Sequence, residues 1–204
     1  MAIPVFVLLG RAGAGKTVVG DYYSKASGMP IIHVGQEIRS MAEQGDQLAL
    51  RVSSLMKENK LYDPADVTTI LEGIIKRDSA KFAHGFVLDG FPRWAGALPA
   101  FEEFLKRNNV EVGRLIYFQV PKRQSIRRQM LRGRDSPKLI LEREKDFEKN
   151  ELEVVQHYER KGVAKIVPAK NFRSLNKRKL EAAVPIRAQA LSRIIGSVLR
   201  KRRK

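Results

Sequence analysis

Residues 3–17 read IPVFVLLGRAGAGKT, an apolar run that passes directly into the pattern G-x-x-x-x-G-K-T. The run is too short for a helix and is rich in β-branched residues, which predicts a buried strand of a parallel sheet. A helix is expected to follow. The glycines between the two elements let backbone N–H groups point inward and form a nest for the oxygens of a polyphosphate. The stretch therefore predicts a phosphate-binding loop, or P-loop.

Two side chains of this loop are placed to act on a bound nucleotide. Lys16 is expected to reach the β- and γ-phosphates, and Thr17 to offer its hydroxyl to Mg²⁺. The alternative is a glycine-rich turn that binds nothing, which is disfavoured because a strand precedes the loop and the Lys-Thr pair is in register with the glycines. The residues expected to bind the nucleotide are Gly10, Gly13, Ala14, Gly15, Lys16 and Thr17.

The composition indicates a globular protein. A chain of 204 residues can hold one core with small insertions. It contains no cysteine, which excludes disulfides and a thiolate zinc site, and its three histidines are far apart in the sequence. Any metal is therefore expected to be Mg²⁺ bound together with the nucleotide. No apolar run is long enough to cross a membrane and the N-terminal run does not resemble a signal peptide, so we expect a cytoplasmic protein.

The positive charge of the chain is large and unevenly placed. The formal net charge is +17, and residues 170–204 contain twelve Lys or Arg but one acidic residue, Glu181. Such a segment is either a solvated helix face with a solvated tail, or a binding surface for an anionic partner such as nucleic acid or a membrane surface. The sequence leaves both alternatives open.

Strand and helix signals alternate along the rest of the chain. This alternation predicts an α/β fold, a three-layer α/β/α sandwich around a five-stranded parallel sheet. The expected strands are residues 3–9, 31–34, 85–89, 114–120 and 163–167. The expected helices are residues 18–26, two short helices within 36–60, then 63 to about 81, 97–107, 123–131, 139–161 and about 185–199.

The third expected strand ends in a carboxylate, Asp89. Ligands of parallel sheets bind at the carboxyl ends of the strands, so Asp89 is expected to project beside the P-loop. A carboxylate there could hold Mg²⁺ through a water molecule. Thr17 and Asp89 are therefore the candidate metal ligands.

Asp89 also begins a five-residue motif, Asp89-Gly90-Phe91-Pro92-Arg93. Combined with the P-loop, this motif resembles the adenylate kinase family of nucleoside monophosphate kinases, and the resemblance extends over residues 1 to about 169. Further matching positions are Gly35 and Arg39, Leu61 with its neighbours, Val120-Pro121, Arg128, Arg132, Arg134-Asp135, Arg143 and the segment 158–162.

The resemblance implies both a reaction and a domain organisation. The reaction is the Mg²⁺-dependent transfer of the γ-phosphate of ATP to a nucleoside monophosphate, most simply AMP, by a monomer. The organisation is a single P-loop kinase domain over residues 1–204. Within it, residues 36–80 form a small helical monophosphate-binding insertion, residues 133–138 a very short lid loop and residues 170–204 a basic C-terminal segment.

The resemblance also implies roles for individual residues. Phosphoryl transfer brings several negative charges together, and arginine suits their neutralisation because its planar fork binds phosphate in bidentate fashion. The implied catalytic residues are Lys16, Arg93, Arg128, Arg132, Arg134 and Arg143, of which Arg128 and Arg132 also bind ATP. The implied monophosphate-binding residues are Val34, Gly35, Arg39, Leu61, Tyr62, Val67, Gly90, Arg93 and Ala97.

The sequence departs from the family pattern around the acceptor base. Val34 replaces the usual Ser, Thr or Ala, and Ala97 replaces the glutamine that reads adenine in adenylate kinases. Gln36 replaces the usual Asp, and Arg11-Ala12 replace a small residue and proline in the P-loop. An apolar base pocket discriminates weakly, so we expect AMP to be preferred less sharply than in typical members.

A second interpretation belongs to another class of protein. In it, a kinase fold binds RNA or a ribonucleoprotein through the basic C-terminal segment and keeps nucleotide binding as a switch with little turnover. The basic segment and the altered base pocket motivate this alternative. The enzyme is favoured by the intact Lys16, Asp89, Arg39, Arg93 and lid arginines, because a protein without turnover would be expected to lose some of them.

Overall fold

One parallel sheet forms the centre of the molecule. The computed structural model describes residues 1–133, 135–168 and 177–202, with only the backbone of residues 177–183. The strands are β1 (Ile3–Leu9), β2 (Ile31–His33), β3 (Phe86–Asp89), β4 (Val110–Gln119) and β5 (Ala164–Pro168). They lie in the order β2-β3-β1-β4-β5, and every neighbouring pair is parallel. The predicted α/β/α fold with a five-stranded parallel sheet is confirmed.

Helices connect the strands. They are α1 (Lys16–Ser27), α2 (Val34–Glu43), α3 (Gln47–Lys57), α4 (Pro64–Arg77), α5 (Ser79–Phe82), α6 (Leu98–Arg107), α7 (Lys122–Arg132), α8 (Pro137–Asp146), α9 (Leu152–Arg160) and α10 (Lys177–Arg202). A 3₁₀ turn, Ala95–Ala97, precedes α6, and a π turn, Phe147–Glu151, joins α8 to α9. Side-chain caps fix several starts: Asp46 accepts from the N–H of Ala49, and Asp63 from that of Ala65.

The two faces of the sheet carry separate apolar cores. Alternate side chains of a strand point to opposite faces, so Val5 and Val7 of β1 belong to one core and Phe6 and Leu8 to the other. Helices α2, α3, α4, α6 and α9 contribute to the first core, and α1 and α10 to the second. Leu191 and Ile195 of α10 are fully buried, so the basic C-terminal helix is part of the fold.

The fourth strand begins earlier than predicted. It starts at Val110 rather than residue 114, and its register with β1 shifts by one residue, so that Val5 pairs with Val112 but Phe6 with Arg114. Gly113 is the extra residue. A Cβ atom there would lie 3.1 Å from the Phe6 ring, so the absence of a side chain at Gly113 makes room for a core side chain.

Three helix predictions and one strand prediction are also corrected. The helix expected over 63–81 is two helices, α4 and α5, and the one expected over 139–161 begins at Pro137 and contains the π turn. Val34 begins α2 rather than ending β2. Helix α10 is described from Lys177 and continues to Arg202, with Pro185 inside it rather than at its start.

The topology brings the predicted motifs to one edge of the sheet. The P-loop follows β1 and Asp89 ends the adjacent strand β3, where it pairs with Leu8. This edge is formed by the carboxyl ends of the strands, where parallel sheets bind ligands. In the described parts of the chain, no helix combines the length and the apolar character that a bilayer crossing requires.

Candidate active site

The P-loop has the backbone conformation that its glycines predict. Gly10 has a φ of 140°, and a Cβ atom there would lie 2.5 Å from the carbonyl oxygen of Phe118. Gly15 has a φ of 86° and immediately precedes α1. Both positions therefore require glycine, and the loop ends at the positive end of the α1 dipole, which favours phosphate.

Side chains from outside the loop hold three consecutive P-loop carbonyls. Ser125 Oγ donates to the carbonyl oxygen of Ala12 at 2.7 Å, and Arg128 Nη1 to that of Gly13 at 3.0 Å. Arg187 Nη1, from α10, donates to the carbonyl oxygen of Ala14 at 2.7 Å. These donors fix the peptide planes of the loop, and pre-organised donors are what phosphoryl transfer requires.

Lys16 lies inside the loop. Its ammonium donates to the carbonyl oxygens of Gly10 and Arg11, the second at 3.3 Å. Burial lowers the pKa of the Lys16 ammonium from its ordinary value, although the charge of Asp89 opposes this effect. The cation is thus enclosed by acceptors at the place where nucleotide phosphates are expected.

A chain of polar contacts surrounds Asp89. Thr17 Oγ1 donates to Asp89 Oδ2 at 2.9 Å, His33 Nδ1 lies 3.0 Å from the same oxygen, and His33 Nε2 lies 2.7 Å from Asp21 Oδ1. Burial acts against the charged form of His33, but its hydrogen bonds to the two carboxylates raise its pKa above the ordinary value. Burial likewise acts to raise the pKa of Asp89, yet the hydrogen bond from His33 and the charge of Lys16 lower it.

This arrangement fits the predicted magnesium site. The hydroxyl of Thr17 and the carboxylate of Asp89 are oxygen donors, the type that Mg²⁺ prefers, and both lie beside the phosphate-binding loop. His33 was not predicted. Its position is set by the pairing of β2 with β3, in which it lies opposite Asp89.

Arg93 is held by a carboxylate, Glu151, that sequence reasoning did not identify. Its Nε and Nη2 donate to Glu151 Oε1 at 2.9 and 2.8 Å. Glu151 ends the π turn and is 4% exposed. Beside Arg93, the rings of Trp94 and Tyr62 meet edge to face with centroids 5.0 Å apart.

Three adjoining cavities form a cleft over these residues. The central one, of about 380 Å³, adjoins a cavity of about 580 Å³ at Arg39 and Arg132 and another of about 330 Å³ at Arg93 and Glu151. Arg39 and Arg132 line both the central cavity and the cavity of about 580 Å³. Arg143 lines both the cavity of about 580 Å³ and the cavity of about 330 Å³. The predicted residues that line the central cavity are Gly13, Gly15, Lys16, Thr17, Val34, Gly35, Arg39, Tyr62, Asp89, Gly90, Arg93 and Arg132.

Other predicted residues lie elsewhere. Val67 and Ala97 are fully buried in the apolar core and line none of the three cavities. Leu61 is exposed and lines the cavity at Arg93, while Arg143, at the edge of the cleft, pairs with Asp135 at 2.7 Å. Gly10 and Ala14 belong to the P-loop without lining the cavity, Arg128 contacts Gly13, and Arg134 lies outside the described residues.

Arg11 joins the P-loop to α8. Its guanidinium pairs with Glu144 and, at 3.1 Å, with Glu148, and it lies 4.5 Å above the centre of the Phe147 ring. Glu144 also accepts from Gln129 at 3.0 Å. The unusual arginine of the loop is therefore part of a network that ties the loop to α7 and α8.

The fold and this site define a P-loop nucleotide-binding protein. Comparison with known families and proteins specifies it further. Residues 8–163 match the family model described as adenylate kinase. The chain is 32% identical over 155 residues to the adenylate kinase of Mycolicibacterium paratuberculosis, covering 74% of this chain and 84% of that protein. It is 31% identical over 156 residues to the adenylate kinase of Corynebacterium aurimucosum, covering 75% and 84%.

The chain belongs to the adenylate kinase family. It is thus a nucleoside monophosphate kinase, a phosphotransferase whose acceptor is a phosphate group. The resemblance stated from the two sequence motifs is confirmed.

Proposed function

We propose that the protein transfers the γ-phosphate of ATP to AMP with Mg²⁺ and forms two molecules of ADP. The observation that carries this proposal is the composition of the central cavity. It unites Lys16 and Thr17 of the P-loop with Asp89 and with Arg39 and Arg93, the arginines expected on the acceptor side. A donor triphosphate and an acceptor monophosphate would therefore meet in one space.

Each group has a role in the transfer. The P-loop N–H groups and Lys16 bind the β- and γ-phosphates of the donor, while Arg39 and Arg93 bind the acceptor phosphate. An oxygen of that phosphate attacks the γ-phosphorus as the bond to the bridging oxygen of ADP breaks. Arg132, from the rim, balances the charge that spreads over the equatorial oxygens.

Mg²⁺, held by Thr17 and through water by Asp89, would neutralise phosphate charge and orient the oxygens. The ionised state of Asp89, favoured by its contacts with His33 and Lys16, suits that role. The resemblance implies a catalytic and ATP-binding role for Arg128. Because Arg128 donates to the carbonyl of Gly13, we propose that it also maintains the shape of the loop.

We also propose that residues 36–80 act as the monophosphate-binding insertion and residues 133–138 as a short lid. Asn59, in the loop after α3, donates to Asp146 Oδ2 of α8 at 2.6 Å, which supports closure of this insertion over the cleft. Closure excludes water and protects the triphosphate from hydrolysis. Val34 and Tyr62 border the acceptor side of the cavity, so we expect modest base discrimination.

The test is ADP formation from ATP and Mg²⁺ with AMP, UMP, CMP or GMP as acceptor. We expect the highest kcat/KM with AMP and measurable turnover with at least one other monophosphate. Lys16→Ala is the control and should reduce kcat by orders of magnitude, because it removes a cation that contacts the transferring group. ADP formation that is independent of AMP, or unaffected by Lys16→Ala, would refute the proposal.

A further inference from the structure

Glu151 places a carboxylate inside a cleft built to bind phosphates. It lines both the central cavity and the cavity at Trp94, and it is 4% exposed. A buried carboxylate near phosphate oxygens is unfavourable unless a cation compensates it. Its compensating cation is Arg93, the arginine assigned to the acceptor phosphate.

The geometry of the pair leaves one edge of the arginine available. A guanidinium has five N–H donors. Glu151 Oε1 accepts one from Nε and one from Nη2, at 2.9 and 2.8 Å. The remaining donors are the second N–H of Nη2 and both of Nη1, which form the other forked edge, and that edge can bind a phosphate in bidentate fashion.

The charges indicate that the Glu151–Arg93 pair orients the acceptor phosphate rather than attracting it into the cavity. The negative charge of Glu151 raises the pKa of the Arg93 guanidinium above its ordinary value, so the arginine stays charged. The pair as a whole is neutral, however, and adds no net charge to the cavity. Net positive charge is supplied there by Lys16, Arg39 and Arg132, which line the same space.

The location of Glu151 suits this role. It is the last residue of the π turn, a local widening of the helix that is frequent at functional sites. The same turn carries the buried Phe147, whose ring stacks with that of Tyr117 at a centroid distance of 6.4 Å. The turn is therefore anchored in the core and presents Glu151 from a rigid support.

We propose that Glu151 is a positioning residue for the acceptor: it holds the Nε edge of Arg93 so that the opposite edge faces the monophosphate. This inference rests on the proposed function, because it takes the acceptor phosphate to bind Arg93. The decisive property is the hydrogen-bonding geometry of an acceptor oxygen at this position. The negative charge is not required.

Two substitutions separate geometry from charge. Glu151→Ala removes the acceptor oxygen, which lets Arg93 reorient, and we expect KM for AMP to rise by roughly tenfold to a hundredfold. Glu151→Gln keeps an oxygen that accepts both N–H groups and removes the negative charge, so KM for AMP should equal the wild-type value or fall below it. Glu153→Ala is the matched control, because Glu153 is exposed on the adjacent α9.

The binding step can be measured without turnover. Trp94 is the single tryptophan and lies beside Arg93 in the same cavity, so AMP binding can be followed by its fluorescence. We expect Glu151→Ala to raise the Kd for AMP and its KM together, while KM for ATP and the melting temperature stay close to wild type. A general structural role would instead change KM for ATP and the melting temperature as well, and would contradict the proposal.

Two further outcomes would overturn it. A lower KM for AMP in Glu151→Ala would show that the carboxylate competes with the phosphate for Arg93. A Glu151→Gln variant as impaired as Glu151→Ala would show that charge matters more than geometry. If the wild-type protein forms no ADP from AMP, the proposed function fails, and the Trp94 titration still decides whether Glu151 positions the binding arginine.

Discussion

Arg187 shows how one residue of the C-terminal helix reaches the nucleotide site. It is 4% exposed, donates to the carbonyl of Ala14 and lies 5.0 Å from the centre of the Phe118 ring. We predict that Arg187→Met keeps the packing but loses the hydrogen bond, so the P-loop is held less firmly. Because a hydrogen bond to a charged group contributes about 1.5–3 kcal/mol, KM for ATP should rise about tenfold or more. Initial rates at varied ATP and saturating AMP measure this.

Arg193→Met is the control for this prediction. Arg193 lies on the same helix and is exposed, so its replacement changes the net charge equally without touching the P-loop. An equal change of KM for ATP in both variants would show that charge, rather than the contact with Ala14, is responsible. An unchanged KM in Arg187→Met would contradict the role of this residue.

His33 is predicted to stabilise the folded protein through Asp89. The Asp89 side chain is 8% exposed, whereas Asp21, the other partner of His33, is 48% exposed. His33→Leu removes a donor from a buried carboxylate and should lower the free energy of unfolding by about 1–3 kcal/mol. Asp21→Asn should have a smaller effect because water can replace that partner. Urea unfolding of both variants measures the difference, and equal effects would contradict this account.

The candidate site residues that the sequence predicts from its two motifs share a local signal. Lys16 and Thr17 follow a glycine pattern, and Asp89 and Arg93 lie in one short motif, so adjacency in sequence reveals their chemistry. Glu151 has no such signal. Its partner Arg93 is 58 residues away in the sequence. The position of Glu151 depends on a π turn, which the hydrophobic periodicity of the sequence does not predict.

Buried residues of the acceptor side show a second limit of prediction. The family resemblance implies that Ala97 lies next to the acceptor base, but it does not indicate whether the side chain is accessible. In the folded protein Ala97 belongs to the apolar core. Side-chain exposure depends on packing across several elements, which a single sequence does not specify.

At the scale of elements, the end of α10 is tied to the N-terminus. Arg202 Nη1 donates to the carbonyl of Ala2 at 2.6 Å, and its guanidinium pairs with Glu111 of β4. The expectation that the helix ends at residue 199 is wrong, because α10 continues to Arg202. Arg202 is therefore part of the fold rather than of a solvated tail.

A truncation series tests this contact. We predict that a chain ending at residue 202 melts like the full chain, whereas one ending at residue 199 is less stable by about 1 kcal/mol, which corresponds to a fall of about 2–4 °C for a protein of this size. Thermal unfolding by circular dichroism measures the three chains. Glu111→Gln in the full chain should lower the melting temperature in the same direction but less, because Glu111 is 56% exposed. Equal melting temperatures of the two truncated chains would show that Arg202 adds no stability.

Element boundaries deviated from prediction where packing overrides local signals. The strand expected from residue 114 begins at Val110 and includes Gly113, because the space that the missing side chain of Gly113 leaves is filled by Phe6. Pro185 signals a helix start but lies inside α10. The parallel sheet of five strands, in contrast, follows from the number and alternation of strand and helix signals, which is why the sheet could be predicted while the boundaries of its strands could not.

At the scale of the whole molecule, the net charge of +17 leads to a prediction about the salt dependence of nucleic-acid binding. Each cation that contacts a phosphate of single-stranded RNA releases counterions. It makes the negative slope of log affinity against log salt steeper by about 0.7. Arg193, Arg200 and Lys201 are exposed on α10, whereas Arg187 and Arg202 are engaged within the fold. We predict that replacing the three exposed cations with glutamine flattens the slope by about 2, if α10 is the binding surface.

The comparison needs a variant of equal charge. Lys25, Lys76 and Lys81 are also exposed, on other helices, and their replacement with glutamine removes the same three charges. Binding of a mixed-sequence RNA is measured between about 50 and 200 mM salt, the range over which counterion release is steep. A flatter slope for the α10 variant alone identifies that helix as the surface. Equal slopes in the two variants would show that RNA responds to overall charge, and an unchanged slope in the α10 variant would leave its exposed cations as a solvated face of the enzyme.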